Sequence, residues 1–117
     1  MPDIKIKRIY DEPQPNDGYR VLVDRVWPRG MTKEKAAIDF WAKDLAPSTR
    51  LRKWFDHDIA KWTEFQDKYR EELKANQAAI QETLTKASGA HLTLLFGAKD
   101  IEHNQAVVLR DFVIKQS

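Results

Sequence analysis

There is no cysteine among the 117 residues, which excludes a disulfide framework, thiolate metal ligation and thiol catalysis together. There is also no apolar run near the ~18 residues that a membrane span requires. The stretch from Met1 to Tyr10 alternates lysine with isoleucine and offers no apolar signal-peptide core. A cytoplasmic protein without membrane contact is therefore expected. An excess of one charge is missing too, since twenty basic residues face eighteen acidic ones, a net charge of +2. That falls well short of an arm-type DNA binder, so any nucleic-acid contact would need its basic residues gathered on one face. His57, His91 and His103 lack the short spacings that bring two ligands together, and no metal site is expected. Walker loop, dinucleotide fingerprint and nucleophile elbow are absent, as are repeats and low-complexity segments, and no cofactor is expected.

What remains is one domain spanning 1–117, large enough to bury roughly two-thirds of its unfolded surface. With 42% apolar and 32% charged residues, the composition describes a compact core under a strongly solvated exterior. Four tryptophans, three tyrosines and five phenylalanines need burial, which argues against disorder.

Ile4, Ile6 and Ile9 alternate with basic residues, predicting a strand at about 3–10. Pro13, Pro15 and Asn16-Asp17-Gly18 mark a loop. Val21-Leu22-Val23 has the pattern of a strand buried on both faces. Its direction relative to the first strand stays open, because the connection barely suffices for a parallel crossover. After a break at Trp27-Pro28-Arg29-Gly30, Thr32 is an N-cap candidate for a short helix at 33–37. Ile38, Phe40, Trp41 and Leu45 continue as an apolar patch. Ser48 or Thr49 caps the next helix, and Asp58 opens a longer one with Ile59, Trp62, Phe65, Tyr69 and Leu73 on one stripe. Asn76 caps a further helix that ends at Ser88-Gly89. Leu92–Phe96 is another buried strand, followed by a last helix with Ala106, Leu109, Phe112 and Val113 inward. The expected fold is α/β, a small, mainly parallel sheet of about three strands flanked by helices in a three-layer sandwich.

Two loops at strand ends could carry function, because ligands in open α/β sheets bind outside the carboxyl ends of strands. The first holds Asp24, Arg25, Trp27, Arg29 and Gly30, with guanidinium forks for an anion and an indole face for a ring. Its structural counter-reading is an Asp24–arginine pair beside a turn, with Trp27 covering the core edge. The second loop holds Lys99, Asp100, His103 and Asn104. If Asp100 caps the last helix, His103 falls at its third position, and the helix start offers backbone N–H groups to an anion. Asp24 and His103 are the candidates for acid–base chemistry.

The run Asp-Gly-Tyr-Arg-Val-Leu-Val-Asp-Arg-Val-Trp-Pro-Arg-Gly at 17–30 resembles the signature of the bacterial YeaO-like family, a domain of unknown function. Ala46-Pro47-Ser48-Thr49 with Leu51-Arg52 resembles it too, as does the stretch from Leu94-Leu95 through Ala98-Lys99-Asp100 to Asn104 and 106–109. The resemblance covers nearly the whole chain and implies an α/β fold with a shared site at Asp24, Arg25, Trp27, Arg29 and Gly30, extending to Lys99, Asp100 and Asn104. Members often carry a histidine where Gln105 stands, and some lack the one at His103. A mechanism built on a histidine pair does not carry over to this chain, while one built on the arginines and Asp24 does.

The leading expectation is a site between the two loops for a small anionic ligand, nucleotide-like or phosphorylated. Arg25 and Arg29 would hold the anion, Trp27 would stack on a ring, and Asp24 would orient an arginine or act as a base; whether turnover follows stays open. The alternative is a non-catalytic nucleic-acid or regulatory module using Arg20, Arg25, Arg29, Arg50, Arg52 and Lys53 on phosphates. A third reading is an interaction protein whose exposed aromatics are covered on dimerisation.

Overall fold

A computed structural model describes residues 3–87 and 91–116. Its strands are β1 (Ile4–Arg8), β2 (Tyr19–Leu22), β3 (Phe40–Trp41) and β4 (Leu92–Phe96). Its helices are α1 (Lys33–Ala36), α2 (Thr49–Phe55), α3 (Trp62–Ala75), α4 (Gln77–Ala87) and α5 (Gln105–Gln116). The expected helix end at Ser88-Gly89 lies outside the described residues.

The sheet runs β1-β4-β2-β3 with every neighbouring pair parallel. β1 and β2 never meet, because β4 lies between them with Leu94 opposite both Ile6 and Val21. That insertion settles the strand directions left open by the short connection. It also explains why β4 is buried at all five positions: a central strand covered on both faces must be apolar throughout. The sheet has one strand more than expected. β3 is two residues of the Ile38–Leu45 apolar patch, drawn against β2 through the pairs Val21–Phe40 and Leu22–Trp41.

Helices flank the sheet, but the outer layers are unequal. Ile4, Val21, Val23, Leu92, Leu94 and Phe96 face the thick layer built from α2, α3, α4 and α5. The stripe Phe65, Tyr69 and Leu73 of α3 is buried there, whereas Ile59 belongs to a preceding 3-10 turn and is exposed. Ser48 and Thr32 cap α2 and α1 through their side-chain oxygens, as their positions suggested. Asn76 joins α3 to α4 and donates to the Asp44 carbonyl. On the other face, Leu22, Leu95 and Ile9 are covered only by Ala36 of α1 and by Trp27, Met31, Ile38 and Trp41.

The thin face also carries a closed polar network. The Asp17 carboxylate accepts from Arg20 Nη1, Lys7 Nζ and Gln14 N, while Arg20 also donates to the Ala36 and Ala37 carbonyls. Burial alone would raise the Asp17 pKa, but the Gln14 amide, Lys7 and Arg20 together hold it below the usual carboxylate range. Arg20 is thus buried and fully engaged, and unavailable to a phosphate.

Removing Asp17 should leave Arg20 buried without its counter-charge. The pair lies beside the exposed Gln14–Asn16 turn, so water can reach it after a small rearrangement, and the cost belongs at the lower end of the range for buried pairs. Asp17→Ala is expected to lose about 3 kcal/mol in urea denaturation at neutral pH. A loss under about 0.5 kcal/mol would place the pair among exposed bridges.

Candidate functional site

β2 and β4 are parallel neighbours, so their carboxyl ends open on the same edge of the sheet, and the chain leaves both into loops. Between these loops, the start of α5 and the end of α2 lies a cleft of about 280 Å³. Asp24 and Arg25 reach it from the first loop. Gly97, Ala98, His103 and Asn104 come from the second, Gln105 from the start of α5, and Arg52, Phe55 and His57 from α2 and the turn after it.

Asp24 is the residue around which the cleft is built. Its Oδ2 accepts from Gly97 N at 2.9 Å, and its Oδ1 accepts from the Gln105 side-chain amide. Both donors are neutral. Among the described residues no cation bonds the carboxylate, so the Asp24–arginine pair of the structural counter-reading is not formed. Burial pushes the Asp24 pKa up to about 6; the Gly97 amide, the Gln105 amide and the positive fields of Arg52 and His57 restrain the shift. A Cβ at Gly97 would come within 2.9 Å of Asp24 Oδ2, so any larger residue there would push the carboxylate from its place.

Arg25 turns the other way. Its Nε donates to the Pro47 carbonyl at 2.9 Å and its Nη2 to Ala46, which ties the loop after β2 to the entrance of α2. Nearby, the fully buried Tyr69 donates its hydroxyl to the Leu45 carbonyl. Arg52 lies one α2 turn beyond, exposed, and among the described residues nothing bonds its guanidinium.

The second loop is organised by two different residues. Asp100 Oδ1 accepts from Glu102 N and His103 N, both at 2.9 Å, and Oδ2 meets His103 Nδ1 at 2.9 Å. Those backbone bonds, together with His103, hold its carboxyl below the usual range. Asp100 therefore stabilises a separate turn at 101–104 and does not cap α5. The cap is Asn104, buried, whose Oδ1 accepts from Ala106 N and Val107 N while its amide donates to the Asp100 carbonyl. His103 lines the cleft with Nδ1 on Asp100 and its ring edge-on to Trp62 at 5.2 Å.

The structure thus gathers Asp24, Arg25, His103 and Asn104 at one cleft. The other expected site residues stand elsewhere. Trp27 packs edge-to-face on Trp41 at 5.3 Å in the thin-face core, with its indole N–H on the Met31 carbonyl. Arg29 and Lys99 are exposed and do not line the cleft. Gly30 supplies the positive φ of 75° that the turn after Arg29 needs. Arg52, His57, Phe55, Tyr10 and Gln105 are cleft residues that the strand-end argument does not reach, since they come from other elements. Arg52 carried a signal through the Leu51-Arg52 part of the family pattern, and Gln105 through the position where members often have a histidine.

Residues 3–117 match the model of a family described as the inactive DUF488-N3 subclade. The chain is 40% identical over 111 residues to the uncharacterized protein YeaO of Escherichia coli K12, covering 95% of this chain and 96% of that protein. It is also 36% identical over 106 residues to the uncharacterized protein Rv3073c of Mycobacterium tuberculosis H37Rv, covering 91% of this chain and 89% of that one. No solved structure matches. Among the described residues no helix is long and apolar enough to cross a membrane, and no group of three metal-ligating side chains could hold an ion.

Two outcomes follow for the site. Because the folded pKa of Asp24 lies above its ordinary value of 3.8, its contribution to stability is full below pH ~4 and is lost as pH rises through 6. At pH 7 the ionised carboxylate costs on the order of 3 kcal/mol. Asp24→Asn can keep the Gly97 bond through its oxygen and donate to Gln105 once that amide flips. It should equal or exceed wild type in stability at pH 7 and show a flatter stability profile between pH 4 and 6. A variant that loses several kcal/mol at pH 7 would mean that the carboxylate has a charged partner. Asn104→Ala should lose about 1–2 kcal/mol by uncapping α5, and more than Asp100→Ala; the reverse order in thermal unfolding would return the cap to Asp100.

Proposed function

We propose that this chain, which belongs to the family described as the inactive DUF488-N3 subclade, is a cytoplasmic domain that binds a small anionic ligand in the cleft at the carboxyl ends of β2 and β4. One observation carries the reading: the Arg52 guanidinium stands at the cleft with no protein partner among the described residues. An exposed arginine at a concave, largely apolar surface is a ready fork for a carboxylate or phosphate. His57 lies beside it, and Arg25 holds the neighbouring wall in place. The Asp-Arg-x-Trp-Pro-Arg-Gly loop contributes in two halves. Asp24 faces the ligand side and Arg25 braces the wall beside it, while Trp27 covers the thin face and Arg29 and Gly30 belong to the turn that follows. The family's description as inactive accords with binding without turnover.

A thermal-shift screen of nucleotides, sugar phosphates and organic acids tests this. A ligand at ~100 times its Kd adds roughly 2.7 kcal/mol, a shift of several degrees in a domain of this size. Arg52→Ala should remove the shift and Arg29→Ala should keep it. Equal loss in both variants, or loss in Arg29→Ala alone, would move the site out of the cleft. Affinity for DNA or RNA that falls with salt at a log–log slope of about −0.9 per phosphate contact would favour the nucleic-acid module instead.

A further inference from the structure

Two unsatisfied charges of opposite sign face this cleft. Asp24 is a largely buried carboxylate bonded, among the described residues, by the Gly97 amide and the Gln105 side chain alone, yet buried charges are normally paired. A carboxylate has about four lone-pair sites, so two bonds leave it room for a further donor. Arg52 acts on Asp24 through its field but makes no bond to it. A protein that needed only internal neutrality would have closed this pair directly. Left apart across a cleft, the two groups match a ligand that carries both complementary charges itself.

The other walls narrow the class. Five backbone amides at this end of the sheet are already taken: Gly97 N by Asp24, Glu102 N and His103 N by Asp100, Ala106 N and Val107 N by Asn104. Arg25 is committed to the Ala46 and Pro47 carbonyls. This leaves a poor seat for a chain of phosphates. At about 280 Å³, the cleft also sits at the small end of the roughly 300–1,000 Å³ usual for ligand pockets. Tyr10, Val26, Pro28, Pro47, Phe55 and Phe65 give it an apolar wall, beside the polar His57, His103, Asn104 and Gln105.

Resting on the cleft being the binding site, we infer that its ligand is a zwitterion of α-amino-acid type with an apolar side chain. The ammonium group sits on Asp24, the carboxylate on Arg52, and the side chain against the Phe55–Phe65 wall, where the two rings stack at 4.3 Å. An ammonium on Asp24 supplies the counter-charge that the fold leaves out.

The test uses matched ligands on the wild-type protein, read by isothermal titration calorimetry at neutral pH. L-phenylalanine and L-leucine are compared with their des-amino counterparts, hydrocinnamate and isocaproate, and with the amines phenethylamine and isoamylamine. Each amino acid should bind at least about tenfold more tightly than either analogue, the scale expected when one member of a buried charge pair is deleted. In Asp24→Asn, which should fold at least as well as wild type, the advantage over the des-amino acid should disappear. Arg52→Ala should erase the advantage over the amine. If hydrocinnamate or a nucleotide binds through Arg52 while the amino acids gain nothing from their ammonium group, this inference is overturned and the anion site stands. If no ligand of the set binds and the wider anion screen is also blank, both fall together.

Discussion

A single carboxylate joins three pieces of this chain that are far apart in sequence. Asp24 leaves the end of β2, accepts from the backbone at the end of β4 through Gly97, and accepts from the first residue of α5 through Gln105. The register of β2 on β4, which sets Leu22 beside Leu95, brings the two loops to the same height. The missing side chain at Gly97 lets the carboxylate come close. Arg25 does for α2 what Asp24 does for α5, by bonding the carbonyls of Ala46 and Pro47 just before the Ser48 cap. The site is therefore a consequence of how the sheet's edge is tied to its helices. Its cost is a carboxylate held in poor solvent with only neutral donors around it, and that residual charge gives the cleft its chemistry.

The unequal layers decide which parts of the Asp-Arg loop can serve the cleft. The thick layer packs α3 through Phe65, Tyr69 and Leu73 and sends Phe55 and Phe65 to the cleft wall. The thin layer has little helix to cover Leu22 and Leu95, so Trp27 and Trp41 supply that cover. An indole required there is not available as a ligand platform. At the opposite end of the thin face, Asp17 and Arg20 satisfy each other and the ends of α1, which makes Arg20 part of the frame.

Much of this was legible in the sequence because burial writes itself into composition. Val21–Val23 and Leu92–Phe96 read as strands covered on both faces, and the structure has them adjacent at the sheet's centre. The Thr32 and Ser48 caps were legible from local chemistry, as was the gathering of the two strand-end loops at one edge of the sheet. What was not legible depended on long-range placement. β3 is too short to show a period, and its strand character comes only from pairing with β2. The counter-reading paired Asp24 with an arginine, but Gly97 and Gln105 take its carboxylate and Arg25 goes to the carbonyls before α2. Asp100 and Asn104 are both good capping types; the turn at 101–104 gives α5 to the second. Arg52 and His57 enter the cleft through the packing of α2, which no local pattern records. The family resemblance supplied membership, and the structure puts the residues of its motif in different places, Asp24 and Arg25 at the cleft and Trp27 in the thin-face core.

The account stands on Asp24 being a carboxylate that the fold leaves without a counter-charge. The direct measurement is a pH titration of its side-chain carboxyl carbon by NMR in the ligand-free protein. A midpoint of about 6, well above the ordinary 3.8, is the result predicted. A midpoint at or below 3.8 would contradict the account, since hydrogen bonds or a charged partner would then fully offset the burial of the carboxylate.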